Sequence, residues 1–176
     1  RCKITLMKIA IVKLSALGDI VHAMVVLQFV KKINKKIQID WIVEEKYKEL
    51  LDNHPDINNL HVVNLNRAKK KKSASLLFKE LRQLRKIGRY DLVIDMQGLI
   101  KSAIVTKLIS SKKTIGFDKN SSKEGLSSYF YSSSFEIDYG LNVICRNVKL
   151  VSSAMNFTVT KEELKTNKSF LYSKNM

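Results

Sequence analysis

The sequence predicts an α/β fold in which a parallel sheet carries helices on both faces. Short apolar runs that suit buried strands alternate with longer segments whose apolar residues recur at helical spacing. This alternation is typical of parallel sheets, because each strand is reached from the previous one by a crossover. The chain has 176 residues, 45% of them hydrophobic, which suffices for the core of one domain. With one proline and no Gly/Ser-rich segment, the sequence gives no sign of two tethered domains.

The first strand and helix surround a short polar loop. Residues 9–12 are an apolar run that predicts a buried strand, and residues 14–18 predict a tight loop with a glycine turn at Gly18. Residues 20–30 predict a helix whose apolar stripe is Ile20, Met24, Leu27 and Val30. Asp19 stands at the head of this helix and at the carboxyl end of a strand, where open α/β sheets bind ligands.

The next elements have clear local signals. Residues 37–43 alternate apolar and polar side chains and predict a second strand, and residues 44–53 predict a short helix with acidic residues in its first turn. Residues 60–65 predict a third strand. Residues 73–87 predict a helix with Ser73 as N-cap, Gly88 at C′ and a buried stripe of Leu76, Leu77, Leu81 and Leu84.

The remaining elements continue the alternation. The predicted strands are 90–95 and 114–117, with a short extended piece within 132–138. The predicted helices are 99–109, a single turn over 126–131, and 142–155. Gln97 and Gly98 form the turn after the fourth strand.

The loop around Gly18 excludes two common nucleotide motifs. A dinucleotide fingerprint needs three glycines, and Gly18 is alone; a P-loop needs Gly-Lys-Ser/Thr, and Gly18 precedes Asp19. Two interpretations of Asp19 remain open on the residues alone. It is either a catalytic or binding acid, or a simple helix cap, where the helix dipole favours an anionic side chain.

The net charge of +16 predicts attraction to an anionic partner such as nucleic acid, an anionic membrane face or phosphorylated lipid. The alternative is that the lysines merely cover solvated faces. Basic and aromatic residues are not interleaved, and no helix-turn-helix, RNP or zinc-finger pattern is present, so nucleic acid is the less favoured partner. The densest positive charge is at residues 67–72, directly after the third predicted strand.

The cysteines indicate the cellular compartment, and the two ends of the sequence indicate the boundaries of the domain. Two cysteines without framework spacing fit a reducing cytosol, and no apolar run approaches the roughly 20 residues of a membrane span. Because Met7 could be a natural start, we expect residues 1–6 to be an extension and residues 7–158 to be the domain. Residues 159–176 are expected to be a frayed tail or the start of an interdomain linker.

Three blocks of the sequence carry a resemblance to a known family. They are residues 13–22 (KLSALGDIVH), residues 91–102 (DLVIDMQGLIKS), and the pieces GFD, KE and LSSYFY within residues 116–131. In order and rough spacing they resemble the N-terminal part of bacterial lipopolysaccharide heptosyltransferases, over about residues 7–157. The resemblance implies a Rossmann-like acceptor-binding domain of a glycosyltransferase-B type enzyme, whose second domain would hold the nucleotide sugar.

The resemblance also implies roles for individual residues. Asp19 matches the catalytic acid of the family and would act as general base. The residues implied in acceptor binding are Ser15, Gly18, His22, Lys69, Lys70, Gln97, Gly98 and Lys123. Alternatives stay open: a solvated loop for the lysines, an ordinary turn for Gln97 and Gly98, and a satisfied core position for His22. No donor-binding residue, metal ligand or cofactor is expected in this chain.

The implied reaction moves L-glycero-D-manno-heptose from ADP-heptose to a Kdo residue of the lipopolysaccharide inner core, with inversion. The implied partners are Kdo-lipid A, ADP-heptose and the anionic inner-membrane surface, and not nucleic acid. The implied location is cytoplasmic, peripheral to the inner membrane. Alone, the chain is expected to be inactive. The competing hypotheses are a non-enzymatic basic module that binds membrane or nucleic acid, and a related heptosyltransferase that uses another donor.

Overall fold

The computed structural model describes residues 6–166, and within them six strands form one parallel sheet. The strands are β1 (Lys8–Val12), β2 (Gln38–Glu44), β3 (Asn59–Val63), β4 (Arg89–Asp95), β5 (Ser110–Phe117) and β6 (Ser133–Phe135). Their order is β3-β2-β1-β4-β5-β6, in which the first strand lies beside the fourth as in dinucleotide-binding folds. The predicted α/β class, parallel sheet and Rossmann-like topology are confirmed.

Helices cover both faces of this sheet. They are α1 (Leu17–Ile33), α2 (Lys48–Leu51), α3 (Leu65–Lys70), α4 (Ala74–Leu84), α5 (Ile100–Leu108), α6 (Val143–Met155) and α7 (Lys161–Lys165), with 3-10 turns at Glu45–Tyr47 and Gly125–Phe130. Successive side chains of a strand point to opposite faces of the sheet, so the hydrophobic core has two parts, one on each face. Ile9 and Ile11 pack with α1 and α6, whereas Ala10 and Val12 pack with α4 and α5 on the other face.

Two local predictions around the first helix are wrong. Gly18 is not in a turn, because α1 begins at Leu17 and Gly18 lies in its first turn. The N-cap of α1 is Ala16, whose carbonyl accepts from the amide of Ile20 at 2.9 Å, so Asp19 does not cap the helix by its side chain. Asp19 lies in the first turn instead, where the helix dipole still favours its charge.

The α3–α4 region also differs from the prediction. The basic residues after β3 lie on and just after a short helix, α3, rather than in a loop. Ser73 is the N-cap of α4, as predicted, and its hydroxyl accepts from the amide of Leu76 at 3.3 Å. The helix ends at Leu84, so Gly88 is beyond its C′ position. Leu84 is buried, but Leu77 is 41% exposed, because α4 packs on the body of the protein by one edge only.

Part of the predicted frayed tail is helical. Residues 161–165 form α7, which begins with a capping box between Thr160 and Glu163, and Glu163 pairs with Lys32 of α1. Residues 167–176 lie outside the described residues, as do residues 1–5 of the expected extension. Among residues 6–166, no helix combines the length and apolar character that crossing a bilayer requires.

A glycine in β5 provides a test of the packing. A Cβ added to Gly116 would lie 2.2 Å from Cε2 of Tyr131, which is closer than non-bonded carbon atoms approach. We expect Gly116→Ala to lower the free energy of unfolding by about 1–3 kcal/mol, because the buried ring must shift. Urea denaturation measures this. Gly18→Ala is the control, since a Cβ there meets nothing within 4 Å. An equal loss at both positions would contradict the prediction.

Candidate functional site

A cleft of about 350 Å³ opens at the carboxyl ends of β1, β4 and β5, and we call it the central cleft. Four segments contribute its walls: the start of α1, the turn after β4, the loop after β5, and α6. The polar side chains that line it are Lys13, Ser15, Asp19, Gln97, Ser122, Lys123, Tyr139, Arg146 and Asn147. Asp19 is the only acid among the lining residues of the described chain, so the cleft is predominantly cationic.

Asp19 presents its carboxylate to this cleft. Its side chain is 53% exposed, and its Oδ2 lies 3.9 Å from Nζ of Lys13. The position in the first turn of α1 places the charge next to free backbone amides, which stabilise an anion. An accessible carboxylate with a neighbouring ammonium group can accept a proton from a bound hydroxyl group.

Lys13 is a buried cation at the floor of the cleft, 5% exposed. Its Nζ donates to the carbonyl of Met96 at 3.1 Å, which directs the ammonium group towards Asp19. Burial lowers the pKa of Lys13, and the nearby charges of Asp19 and Asp95 oppose this shift. Lys13 therefore joins the β1 and β4 sides of the cleft and provides its least solvated positive charge.

Gln97 connects the two loops that border the cleft. Its Oε1 accepts from the amides of Leu14 at 2.8 Å and Ser15 at 3.1 Å, and its Nε2 donates to Oγ of Ser15 at 3.0 Å. These bonds join residues more than eighty positions apart. The side chain of Gln97 thus holds the Leu14–Ser15 segment that precedes α1, and the Ser15 hydroxyl is oriented by the same bonds.

Asp95 builds the turn that carries Gln97. Its buried carboxylate accepts from the amides of Gln97 at 2.8 Å and Gly98 at 3.3 Å, and from the hydroxyl of Tyr131 at 2.7 Å. Burial raises the pKa of Asp95, although these hydrogen bonds oppose the shift. Gly98 has φ +68° and a Cβ there would lie 3.1 Å from Cβ of Ser122, so the turn requires glycine.

The α6 side of the cleft presents further donors. The guanidinium of Arg146 lies over the rings of Phe117 and Tyr139, at 4.8 and 4.4 Å, and donates to the carbonyl of Ser121. Burial lowers the pKa of Arg146. Nε of Arg146 and Nδ2 of Asn147 are buried and have no hydrogen-bond partner among the described residues. Buried donors at a cleft wall favour a ligand rich in oxygen acceptors.

The structure divides the residues implied by the sequence resemblance into two groups. Ser15, Asp19, Gln97 and Lys123 line the central cleft together. The others do not line it. Gly98 is buried behind the cleft against Phe117, Gly18 is in the first turn of α1, and His22 is exposed on α1, so the core interpretation of His22 is wrong.

The predicted basic contacts Lys69 and Lys70 lie on α3 instead. Lys69 lines a different cavity of about 540 Å³, between α3, α4 and α5, and Lys70 is exposed. We call this cavity the α3–α5 groove; its apolar lining is Leu65, Ala68, Ala74, Leu77, Leu81, Ile100 and Ile104. Lys69 and Lys70 therefore do not line the central cleft, and their part in acceptor binding stays a prediction.

Sequence reasoning missed Lys13, Arg146 and Asn147 as site residues. A lysine directly after an apolar strand is a usable signal for Lys13, because a cation rarely enters the core side of a sheet without a partner. No comparable local signal marks Arg146 or Asn147, which look like ordinary polar positions of an amphipathic helix. In residues 6–166, no three His, Cys, Asp or Glu side chains are close enough to hold a metal ion.

The sequence is similar to curated lipopolysaccharide heptosyltransferases over most of its length. It is 46% identical to lipopolysaccharide heptosyltransferase 1 of Campylobacter coli over 150 residues, which is 85% of this chain and 42% of that protein. It is 33% identical to the Pseudomonas aeruginosa enzyme of the same name, covering 86% of this chain and 43% of that protein. The chain thus spans less than half the length of these two relatives.

The fold is similar to that of solved structures. An E. coli heptosyltransferase with ADP superposes with a TM-score of 0.80 and 29% identity, over 88% of this chain and 49% of that one. The same enzyme with ADP-2-deoxy-2-fluoro heptose gives a TM-score of 0.81. The profile of Glycosyltransferase family 9 (heptosyltransferase) matches residues 77–174, more than half of the sequence. The chain therefore belongs to glycosyltransferase family 9, the heptosyltransferase family.

Proposed function

We propose that this chain is the acceptor-binding N-terminal half of an inverting lipopolysaccharide heptosyltransferase I. The complete enzyme would transfer L-glycero-D-manno-heptose from ADP-heptose to the Kdo of the lipopolysaccharide inner core. Two relatives bear this enzyme name, and a solved structural neighbour holds an ADP-heptose analogue. The chain spans less than half the length of these relatives. We therefore assign to it only one domain of the enzyme, formed by residues 7–158. The donor contacts belong to a second domain.

The observation that carries the proposal is the half-exposed carboxylate of Asp19 in a cationic cleft, with Lys13 at 3.9 Å. The acceptor hydroxyl attacks the anomeric carbon, ADP leaves from the opposite face, and Asp19 takes the hydroxyl proton as the new bond forms. The ammonium group of Lys13 directs the carboxylate of Asp19, and Gln97 holds the residues that lead into the helix on which Asp19 lies. Asp19 is the catalytic residue, and Lys13 and Gln97 are positioning residues.

The cleft also suits an acidic acceptor. Kdo carries a carboxylate, and the cations Lys13, Lys123 and Arg146 line the cleft. The unpartnered donors on Arg146 and Asn147 offer hydrogen bonds to sugar hydroxyl or carboxylate oxygens. Lys123 is exposed, so it would meet the acceptor at the entrance to the cleft. The Ser15 hydroxyl, oriented by Gln97, is placed to meet a sugar hydroxyl group.

The proposed location is the cytoplasmic side of the inner membrane, because the acceptor is a lipid. The net charge of +16 supports contact with an anionic membrane surface. In this proposal the domain binds to the face of the membrane through its own surface and does not cross the bilayer.

The experiment joins this chain to the C-terminal half of the Campylobacter coli relative and measures ADP release from ADP-heptose with Kdo-lipid A. We expect ADP release that depends on Kdo-lipid A, and none from the 176-residue chain alone. Release with another nucleotide sugar, and none with ADP-heptose, would indicate a related glycosyltransferase with a different donor. Absence of turnover, together with salt-sensitive binding to plain DNA, would favour the basic binding module that the net charge also suggests.

A further inference from the structure

Positive charge is concentrated in one short segment of the chain. Residues 67–89 contain ten lysines and arginines and one acidic residue, Glu80, so this segment carries more than half of the net charge of +16. Among residues 6–166, none of these ten cations forms an ion pair. Five of these cations lie on α3 or α4, four lie in the residues that directly follow one of these helices, and Arg89 begins β4.

The same two helices expose apolar surface. Phe78 on α4 is 69% exposed and Leu77 beside it is 41% exposed. Leu77 lines the α3–α5 groove, which is open to solvent, and Phe78, the next residue of α4, lines a separate pocket. Lys69 and Lys72 stand at the border of the groove, while Lys79, Arg82 and Lys86 surround Phe78. We call this surface the α4 face.

We infer that the α4 face docks this protein on an anionic phospholipid bilayer, with Phe78 entering the interface and the surrounding lysines and arginines contacting lipid phosphates. The inference rests on the membrane contact of the proposed function and assigns it to a surface. An amphipathic helix with aromatic and leucine side chains on one side and cations around them is suited to lie in a membrane interface. Each cation near an anionic surface adds to the attraction.

Other occupants fit the α4 face less well. A second copy of the chain would bring two strongly positive surfaces together, which costs electrostatic energy. A protein domain seated there would have to desolvate cations that have no partner on this chain. A nucleic acid would use the cations but would leave Leu77 and the aliphatic groove without an apolar partner. An anionic bilayer supplies phosphates and acyl chains at the same surface.

The test measures binding of the 176-residue chain to vesicles by flotation. One set contains phosphatidylethanolamine with phosphatidylglycerol, and the other contains phosphatidylcholine alone. We expect binding to the anionic vesicles only. Phe78→Ser should weaken it about tenfold, because a phenyl ring no longer leaves water. Tyr129→Ser is the matched control, since Tyr129 is 78% exposed and lies outside the α4 face; it should leave binding unchanged.

Charge reversal tests whether the lysines of the α4 face contribute to membrane binding. The double variant Lys69→Glu/Lys72→Glu, at the border of the α3–α5 groove, should weaken vesicle binding by at least about 25-fold, at about fivefold for each lysine. The control Lys35→Glu/Lys36→Glu makes the same change in the exposed turn between α1 and β2, at the opposite rim of the sheet. It should change binding by about twofold at most, because screening limits the reach of a charge. Circular dichroism verifies that each variant is folded.

A fluorescent variant reports insertion directly. Phe78→Trp should shift its emission to the blue on anionic vesicles, whereas the buried Trp41 should contribute an unchanged background. Equal losses in the test and control variants would overturn the inference. So would equal binding to phosphatidylcholine, tight binding to single-stranded RNA without vesicle binding, or a dimer that Phe78→Ser dissociates. Because the vesicles contain neither Kdo-lipid A nor ADP-heptose, the outcome is independent of whether the completed enzyme transfers heptose.

Discussion

Replacing Asp19 with Asn is expected to lower kcat of the completed two-domain transferase by about 10²–10⁴-fold, the usual contribution of a general base. Asn has nearly the same shape, so substrate should still bind, but the amide cannot take the hydroxyl proton. The fold should survive, because the side chain is half exposed and contributes only about 0.3–1 kcal/mol through the helix dipole. Steady-state ADP release measures kcat and KM.

The matched control for this prediction is Asp52→Asn, an equivalent change at an exposed aspartate after α2 and outside the central cleft. It should leave kcat unchanged. A second variant, Lys13→Met, removes the ammonium group beside Asp19 and should reduce kcat less than Asp19→Asn does. Turnover of Asp19→Asn equal to that of the unmodified enzyme would exclude Asp19 as the base, whatever the other variants show.

Replacing Asp40 with Asn is expected to lower the free energy of unfolding by about 3–5 kcal/mol at neutral pH, the cost of breaking a buried ion pair. Asp40 in β2 is fully buried and accepts from four groups at the amino ends of the strands. The donors are Lys8 at 3.0 Å, Asn59 at 2.9 Å, His61 at 3.3 Å and Tyr90 at 2.7 Å. Asn keeps nearly the same shape but has no charge, so Lys8 loses its ion-pair partner.

The same variant should change the response to acid. Burial raises the pKa of Asp40, but the hydrogen bonds from His61, Tyr90, Asn59 and Lys8 outweigh it and hold the pKa well below its usual range. A carboxyl group with a lowered pKa in the folded state contributes stability above its unfolded pKa of about 3.9. That contribution is lost as the pH falls below this value, by about 1.4 kcal/mol per pH unit.

Urea denaturation at pH 7 and at pH 3 measures both effects. The free energy of unfolding should differ more between the unmodified chain and Asp40→Asn at pH 7 than at pH 3. Asp52→Asn is again the control, since an exposed aspartate should change stability by no more than about 0.5 kcal/mol at either pH. If Asp40→Asn lowers the free energy of unfolding by the same amount at both pH values, the charge of Asp40 contributes nothing to stability.

The order of elements could be predicted because its signals are local. The apolar runs around Ile11 and Val93 and the helical spacing in α1 and α6 each need only a few neighbouring residues to be recognised. Element ends were less predictable. α1 begins before Gly18, since the loop is held by Gln97 from another segment and the helix start follows from that contact.

The candidate site was only partly predictable for the same reason. Asp19 was marked by its place after β1, whereas the relevance of Arg146 and Asn147 depends on α6 lying beside the cleft. The exposure of Leu77 could not be predicted either, because a helical apolar stripe does not reveal whether the body of the protein covers it.

By itself, the sequence determined the α/β alternation, the place of Asp19 at a strand end and the concentration of charge after β3, because these depend on residue type and short-range spacing. Only the tertiary structure decided which polar groups meet. It joined Lys13, Gln97 and Arg146 around Asp19 and separated Lys69 into the α3–α5 groove. The physical reason is that strand order and helix packing, set by burial of the whole core, bring together residues that are distant in the chain.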